Sequence, residues 1–290
     1  MDKSPVLRPS ILPLITLAWL EGLLSAAGAV LAAIGGDLGL TAALATAALA
    51  SFAIAFAAQR FWRSRFSAAL VAAEDALDRG DQQRARELMA PLLARFPRLA
   101  VVQEVAADVL YATGDPLSAA SLFESALKVL GPARVAARLV ACYAALNRGG
   151  DARRVAALAP EDRLASLALA WSELVATGGD RARGLVLADS LVFDAERSEN
   201  ATVAAMTAAV AAIAAARRGD RAGLHARLAA MRRATPTAED EAFLGYLAGV
   251  ALREVGDIED ARREFTAAVQ RSPESIGGAL ARRERAHLQS

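Results

Sequence analysis

The stretch Arg253–Pro273 reads REVGDIEDARREFTAAVQRSP, and its Gly-Asp pair at 256/257 sits between two runs of helical periodicity. Glycine can take the left-handed conformation that ends one helix, and aspartate can then cap the next by accepting its free amide hydrogens. After the pair, Ala261, Phe265 and Ala268 follow at spacings of four and three, one face of a helix, until Pro273 ends it. Before the pair, Gly249 and Leu252 occupy the facing side of the preceding helix. The same pair recurs at 80/81, 114/115, 150/151, 179/180 and 219/220, with gaps between successive glycines of 34, 36, 29, 40 and 37 residues. A period near 34 is that of a stacked two-helix unit and predicts an α-solenoid of about six helix pairs. The segment from Pro273 to Leu288, PESIGGALARRERAHL, then reads as a terminal helix that caps the open end.

Composition agrees with an all-α chain. Of 290 residues, 55% are hydrophobic and only 5% aromatic, so alanine and leucine carry the apolar content. With 33 basic and 32 acidic residues the formal charge is +1, which gives no global field for nucleic acid. Cys142 is the sole cysteine and lies in an apolar helical pattern, LVACYAAL, that predicts a buried structural thiol. His225 and His287 fall in no ligand-spaced cluster, so the sequence offers no catalytic, metal or cofactor residues, and the chain does not read as an enzyme.

The first 65 residues have a different character. Residues 11–34 carry one charge and residues 38–58 none, and each run is long enough to cross a bilayer core. The intervening Gly35, Gly36 and Asp37 permit a tight reversal, which predicts a transmembrane hairpin over 1–65 followed by the repeats over 66–290. Lys3 and Arg8 precede the first span, Arg60, Arg63 and Arg65 follow the second, and the loop has no basic residue. That asymmetry predicts both termini and the repeats on the cytoplasmic side, with Phe61 and Trp62 at the headgroup level. A cleaved signal peptide, with small residues at Ser25–Ala29, and a buried soluble hairpin are the competing readings. Glu21 lies near the middle of the first span, where a carboxylate costs about 2.5–3.5 kcal/mol. It reads as facing Thr46 and Ser51 of the second span, as touching another copy of the anchor, or as a proton-linked group.

The repeat pattern resembles the tetratricopeptide repeat: a small and a larger residue in the first helix, then Gly-Asp, Ala, an aromatic, Ala and Pro. The first unit matches with Ala73, Gly80, Asp81, Ala85 and Pro97, with Met89 at the aromatic position. The second has Ala107, Gly114, Asp115, Ala119, Phe123 and Ala126. The third opens a short helix at Gly149, Gly150 and Asp151 that stops at Pro160; the fourth has Gly184 at the small position; the fifth keeps Pro236 but has Leu224 where Ala belongs. The layout of two spans, arginines and repeats also resembles the HemY-type membrane-anchored tetratricopeptide family of bacteria, with a shorter loop between the spans.

The resemblance implies a concave groove lined by the first helix of each pair. By repeat position its residues are Glu74, Glu104, Asp108, Tyr111, Glu173, Arg217, Tyr246 and Arg253. The early repeats then read as acidic and suited to a basic peptide or helix. The expected function is a membrane-anchored scaffold or adaptor that binds proteins through this groove and assembles a complex at the cytoplasmic face of a bacterial inner membrane. An exported, envelope-side assembly factor and a membrane component with proton-linked chemistry at Glu21 are the alternatives. Expected partners are proteins, and membrane lipid through the hairpin; nucleic acid is not expected.

Overall fold

The computed structural model describes residues 11–176, 178–195, 200–233 and 238–288. Among them it contains fourteen α-helices and no strand, and the chain divides into two compact units, Met1–Val71 and Ala72–Ser290.

The first unit holds α1 (Ile11–Ile34) and the greater part of α2 (Leu38–Asp78). Gly36 is left-handed at φ 76°, and the Asp37 carboxylate accepts the Leu40 amide at 2.9 Å, so the spans are joined by the same Gly-Asp device that punctuates the repeats. The two helices meet where α1 is small: a side chain on Gly22 would lie 2.7 Å from the Phe52 ring, and Trp19 packs on Phe52 at 5.4 Å. Elsewhere the hairpin turns its large side chains outward. Leu24, Leu31, Ile34, Leu49 and Ile54 are each more than 60% exposed, which is the reverse of a soluble core. Leu17–Ile34 and Leu38–Ala57 are both long and apolar enough to span a membrane. The interface roles expected of Lys3, Arg8, Phe61, Trp62, Arg63 and Arg65 concern residues or side chains outside those described.

In the second unit, α3 (Gln82–Arg95) follows the end of α2 across the left-handed Gly80. The pairs α4 (Ala100–Ala112) with α5 (Pro116–Leu130), α6 (Pro132–Ala145) with α7 (Gly149–Ala156) and α8 (Arg163–Val175) with α9 (Arg181–Ala195) follow. Then come α10 (Ala201–Arg217) with α11 (Arg221–Arg233) and α12 (Ala238–Glu254) with α13 (Ile258–Arg271). The last helix, α14 (Ile276–His287), packs on both α12 and α13 and closes the stack as a cap.

The opening stretch behaves as its pattern requires, with one exception. Gly256 is left-handed at φ 83°, and Ala261, Phe265 and Ala268 are all fully buried. A side chain on Gly249 would lie 2.5 Å from the Phe265 ring, so glycine there is what lets the ring enter between α12 and α13. The Asp257 carboxylate makes no cap. It reaches Arg221, one repeat upstream, at 3.2 Å. Asp81, Asp115, Asp180 and Asp220 do cap, each accepting an amide three residues on.

Two further Gly-Asp expectations are corrected. In the third unit the left-handed residue is Asn147 (φ 59°), while Gly149 and Gly150 lie inside α7 and Asp151 pairs with Arg148 and Arg154, both at 2.6 Å. In the fourth, Gly178 (φ 83°) makes the turn, not Gly179. Asparagine tolerates the left-handed region, and a helix that ends a turn early moves the break upstream of the dipeptide. Cys142 is buried, and burial pushes its thiol up, away from the reactive thiolate.

Candidate binding groove

Six helices, α4, α6, α8, α10, α12 and α14, line an open cavity of about 280 Å³ in the second unit. Five are the first helices of successive pairs and the sixth is the cap, so the cavity is the concave face of the solenoid. The curl is tight: a side chain on Gly114, in the α4–α5 turn, would lie 3.2 Å from the Glu274 carbonyl oxygen and 3.4 Å from Ala279. The C-terminal turn thus abuts the second repeat.

The walls are almost wholly apolar. Trp171 and Phe243 meet edge to face at 5.0 Å, and Leu167, Met206, Val210, Leu247 and Ile276 complete the lining, with Tyr111 at one side. The charged groups on the wall are Arg138 and Asp240. The Arg138 guanidinium lies 5.5 Å over the Phe123 ring and donates to Asp108 at 2.5 Å and to Glu104 at 2.6 Å. Asp240 accepts from the Thr202 hydroxyl at 3.2 Å.

The residues expected in the groove are placed differently from one another. Tyr111 lines the cavity, and Glu74 is exposed on the last turns of α2. Glu104 is 3% exposed and lies 2.7 Å from Arg134 as well as against Arg138. Burial pushes the Asp108 carboxyl up to about 6, against the opposing pull of Arg138. The acidic early groove is therefore already neutralised by arginines 30 and 34 residues on, and the expectation of a basic peptide there loses its basis.

Glu173 is fully buried: Arg153 lies 2.7 Å from one oxygen, and the Asp180 amide donates to the other at 2.6 Å. Tyr246 is 1% exposed and sits behind the wall against Trp171 and Phe265, where burial pushes its phenol up to about 12. Arg217 pairs with Glu254 at 3.0 Å, and Arg253 bridges Glu254 and Glu284. Glu173, Arg217 and Arg253 thus tie neighbouring helices together, and Tyr246 packs against Trp171 and Phe265.

Glu21 is exposed on α1, with no partner among the described residues. Among the described residues no hydrogen bond joins it to Thr46 or Ser51: Thr46 donates to the Ala42 carbonyl oxygen at 2.8 Å, and it is Gly22 that meets Phe52 of α2. Among the described residues, no three His, Cys, Asp or Glu side chains could hold a metal ion.

Repeat position points to Tyr111, which lines the wall, and not to Trp171 or Phe243. The available signal was the aromatics: in a chain with 5% aromatic residues, Trp171 and Phe243 both fall on first helices.

No protein-family model and no curated protein sequence matches the chain. Among solved structures it is similar to a tetratricopeptide repeat protein from Parabacteroides merdae, over 93% of this chain and 100% of that one, with 14% identity and a TM-score of 0.51. At that identity the likeness is one of fold, and it places the chain's architecture with the tetratricopeptide-like helical repeats.

Proposed function

We propose that the protein is a membrane-anchored scaffold that grips another protein through the concave face of its repeats. The observation that carries this reading is the apolar cavity walled by Leu167 and Trp171 of α8 and Phe243 of α12. A largely preformed apolar recess with few polar groups suits one or two large apolar side chains of a partner, entering as the anchor of a helix or extended segment. The charge ladder between repeats holds the recess in shape and leaves little net charge for a strongly basic or acidic ligand.

The exposed apolar hairpin supports a place at a membrane, and the basic residues flanking it support the cytoplasmic face of a bacterial inner membrane. An anchored groove meets membrane-associated partners at a raised effective concentration, which suits the assembly of a complex.

The test is photo-crosslinking from single positions in the intact, membrane-bound chain. A photoreactive residue at Met206, on the cavity wall, is expected to give one dominant protein adduct that Trp171→Ala reduces at least tenfold. The same residue at Val186, exposed on the second helix α9, is expected to give none. Adducts of equal yield from both positions, or an adduct indifferent to Trp171→Ala, would overturn the groove reading.

A further inference from the structure

The hairpin leaves α1 uncovered over much of its circumference, and one exposed strip carries a carboxyl group. Leu17 is 62% exposed, Leu20 56%, Leu24 66% and Leu31 70%, while Gly22 is buried against Phe52 and Gly28 lies over Leu44. Glu21 lies among these outward leucines, four residues after Leu17 and three before Leu24, so the three project from one face. In the membrane reading on which this inference rests, that face meets hydrocarbon, which cannot satisfy a polar group. Within the hairpin, Glu21 has no hydrogen-bond or ion-pair partner among the described residues.

We propose that α1 pairs with α1 of a second copy inside the bilayer, the two Glu21 carboxyls hydrogen-bonding to each other across a two-fold axis. The chemistry of the group selects this occupant. Hydrocarbon admits a carboxyl in its neutral form, which has one donor and one acceptor and so complements an identical group. Copies of one chain insert with the same orientation, so a two-fold along the membrane normal brings residue 21 of one to the depth of residue 21 of the other. The flanking Leu17, Leu20 and Leu24 then interdigitate around the pair and exclude lipid from it. The pairing sets two repeat units at one point of the membrane and gives a partner with two copies of its anchor a bivalent site.

The test uses the full chain in its membrane. Cys142 is buried, so a cysteine introduced on α1 is the thiol that an added oxidant reaches. Leu24→Cys is expected to give a disulfide-linked dimer, and Val30→Cys, exposed on the other side of α1, is expected to give little. In the Leu24→Cys chain, Glu21→Gln is expected to keep the dimer, because an amide also offers a donor and an acceptor, and Glu21→Leu is expected to reduce it at least tenfold. A dimer yield unchanged by Glu21→Leu, or equal from Leu24→Cys and Val30→Cys, would overturn the pairing. Loss of the dimer in Glu21→Gln as well would overturn it too, by showing that a side chain with the same donor and acceptor capacity does not hold the pair. Extraction of the chain from membranes by alkaline carbonate would remove the membrane reading itself; a membrane-integrated chain that fails the cysteine test removes the pairing alone.

Discussion

Phe265→Ala is expected to lower stability by about 3–5 kcal/mol, the range for deleting a fully buried aromatic side chain. The ring is fully buried between α12 and α13, 6.3 Å from Tyr246, and it fills the space that Gly249 leaves open. No neighbouring backbone can collapse into the gap cheaply, because Ala261 and Ala268 already hold the two helices at close approach on either side of it. Repeat arrays are stabilised mainly by nearest-neighbour interfaces, so the damage is expected to be local. Hydrogen exchange is the appropriate readout: protection should fall first in α12, α13 and α14, with α4 and α5 retaining theirs. Uniform loss along the chain would show that the array unfolds as one unit and that the repeat-by-repeat account of its stability is wrong.

Arg153→Ala is expected to cost about 3 kcal/mol, because it strands the Glu173 carboxylate at a fully buried site. Glu173 does more than pair. It accepts the Asp180 amide and so ties the turn between α8 and α9, where Gly179 is pressed so close that a side chain would lie 2.4 Å from the Glu173 carbonyl oxygen. Adding Glu173→Gln to Arg153→Ala is expected to recover part of the loss, since the amide oxygen still accepts from Asp180 and the buried charge is gone. Denaturant unfolding of the two single variants and the double variant measures the coupling. Additive losses would show that Arg153 and Glu173 act independently and that the ion pair is incidental to stability.

Both predictions concern parts of the molecule that the sequence exposes to different degrees. The Gly-Asp spacing, the Ala261–Phe265–Ala268 face and the terminal helix were legible because helix ends and helix faces are local: each depends on residues within a turn or two. The left-handed turns at Asn147 and Gly178 were not, since a dipeptide marks where a helix can break and not where the preceding helix in fact stops. The groove was the least legible part. Glu104 and Asp108 looked like an acidic binding surface when read along their own helix. Their partners, Arg134 and Arg138, lie one repeat away on α6. The same relation joins Arg217 to Glu254 and Arg253 to Glu284, at separations of 37 and 31 residues. Charges that recur with the repeat period pair with one another before they are available to a ligand. In this solenoid the cavity wall is mostly uncharged, with Arg138 and Asp240 as its charged groups, and Trp171, Phe243 and Leu167 are the residues proposed to meet a partner. Likewise, the composition of the first 58 residues marked two spans, but only the packing of Gly22 on Phe52 showed that Glu21 faces outward.

The central claim is a repeat scaffold held at the inner face of a membrane by an uncleaved hairpin. The most direct measurement is a pair of fusions after Ser290 in a bacterial cell, one reporter active only in the cytoplasm and one active only outside it, each checked for intact mass. The account predicts activity from the cytoplasmic reporter alone, in a membrane-bound fusion of full length. Activity from the external reporter, in a fusion shortened near Gly28, would contradict it and place the repeats on the envelope side.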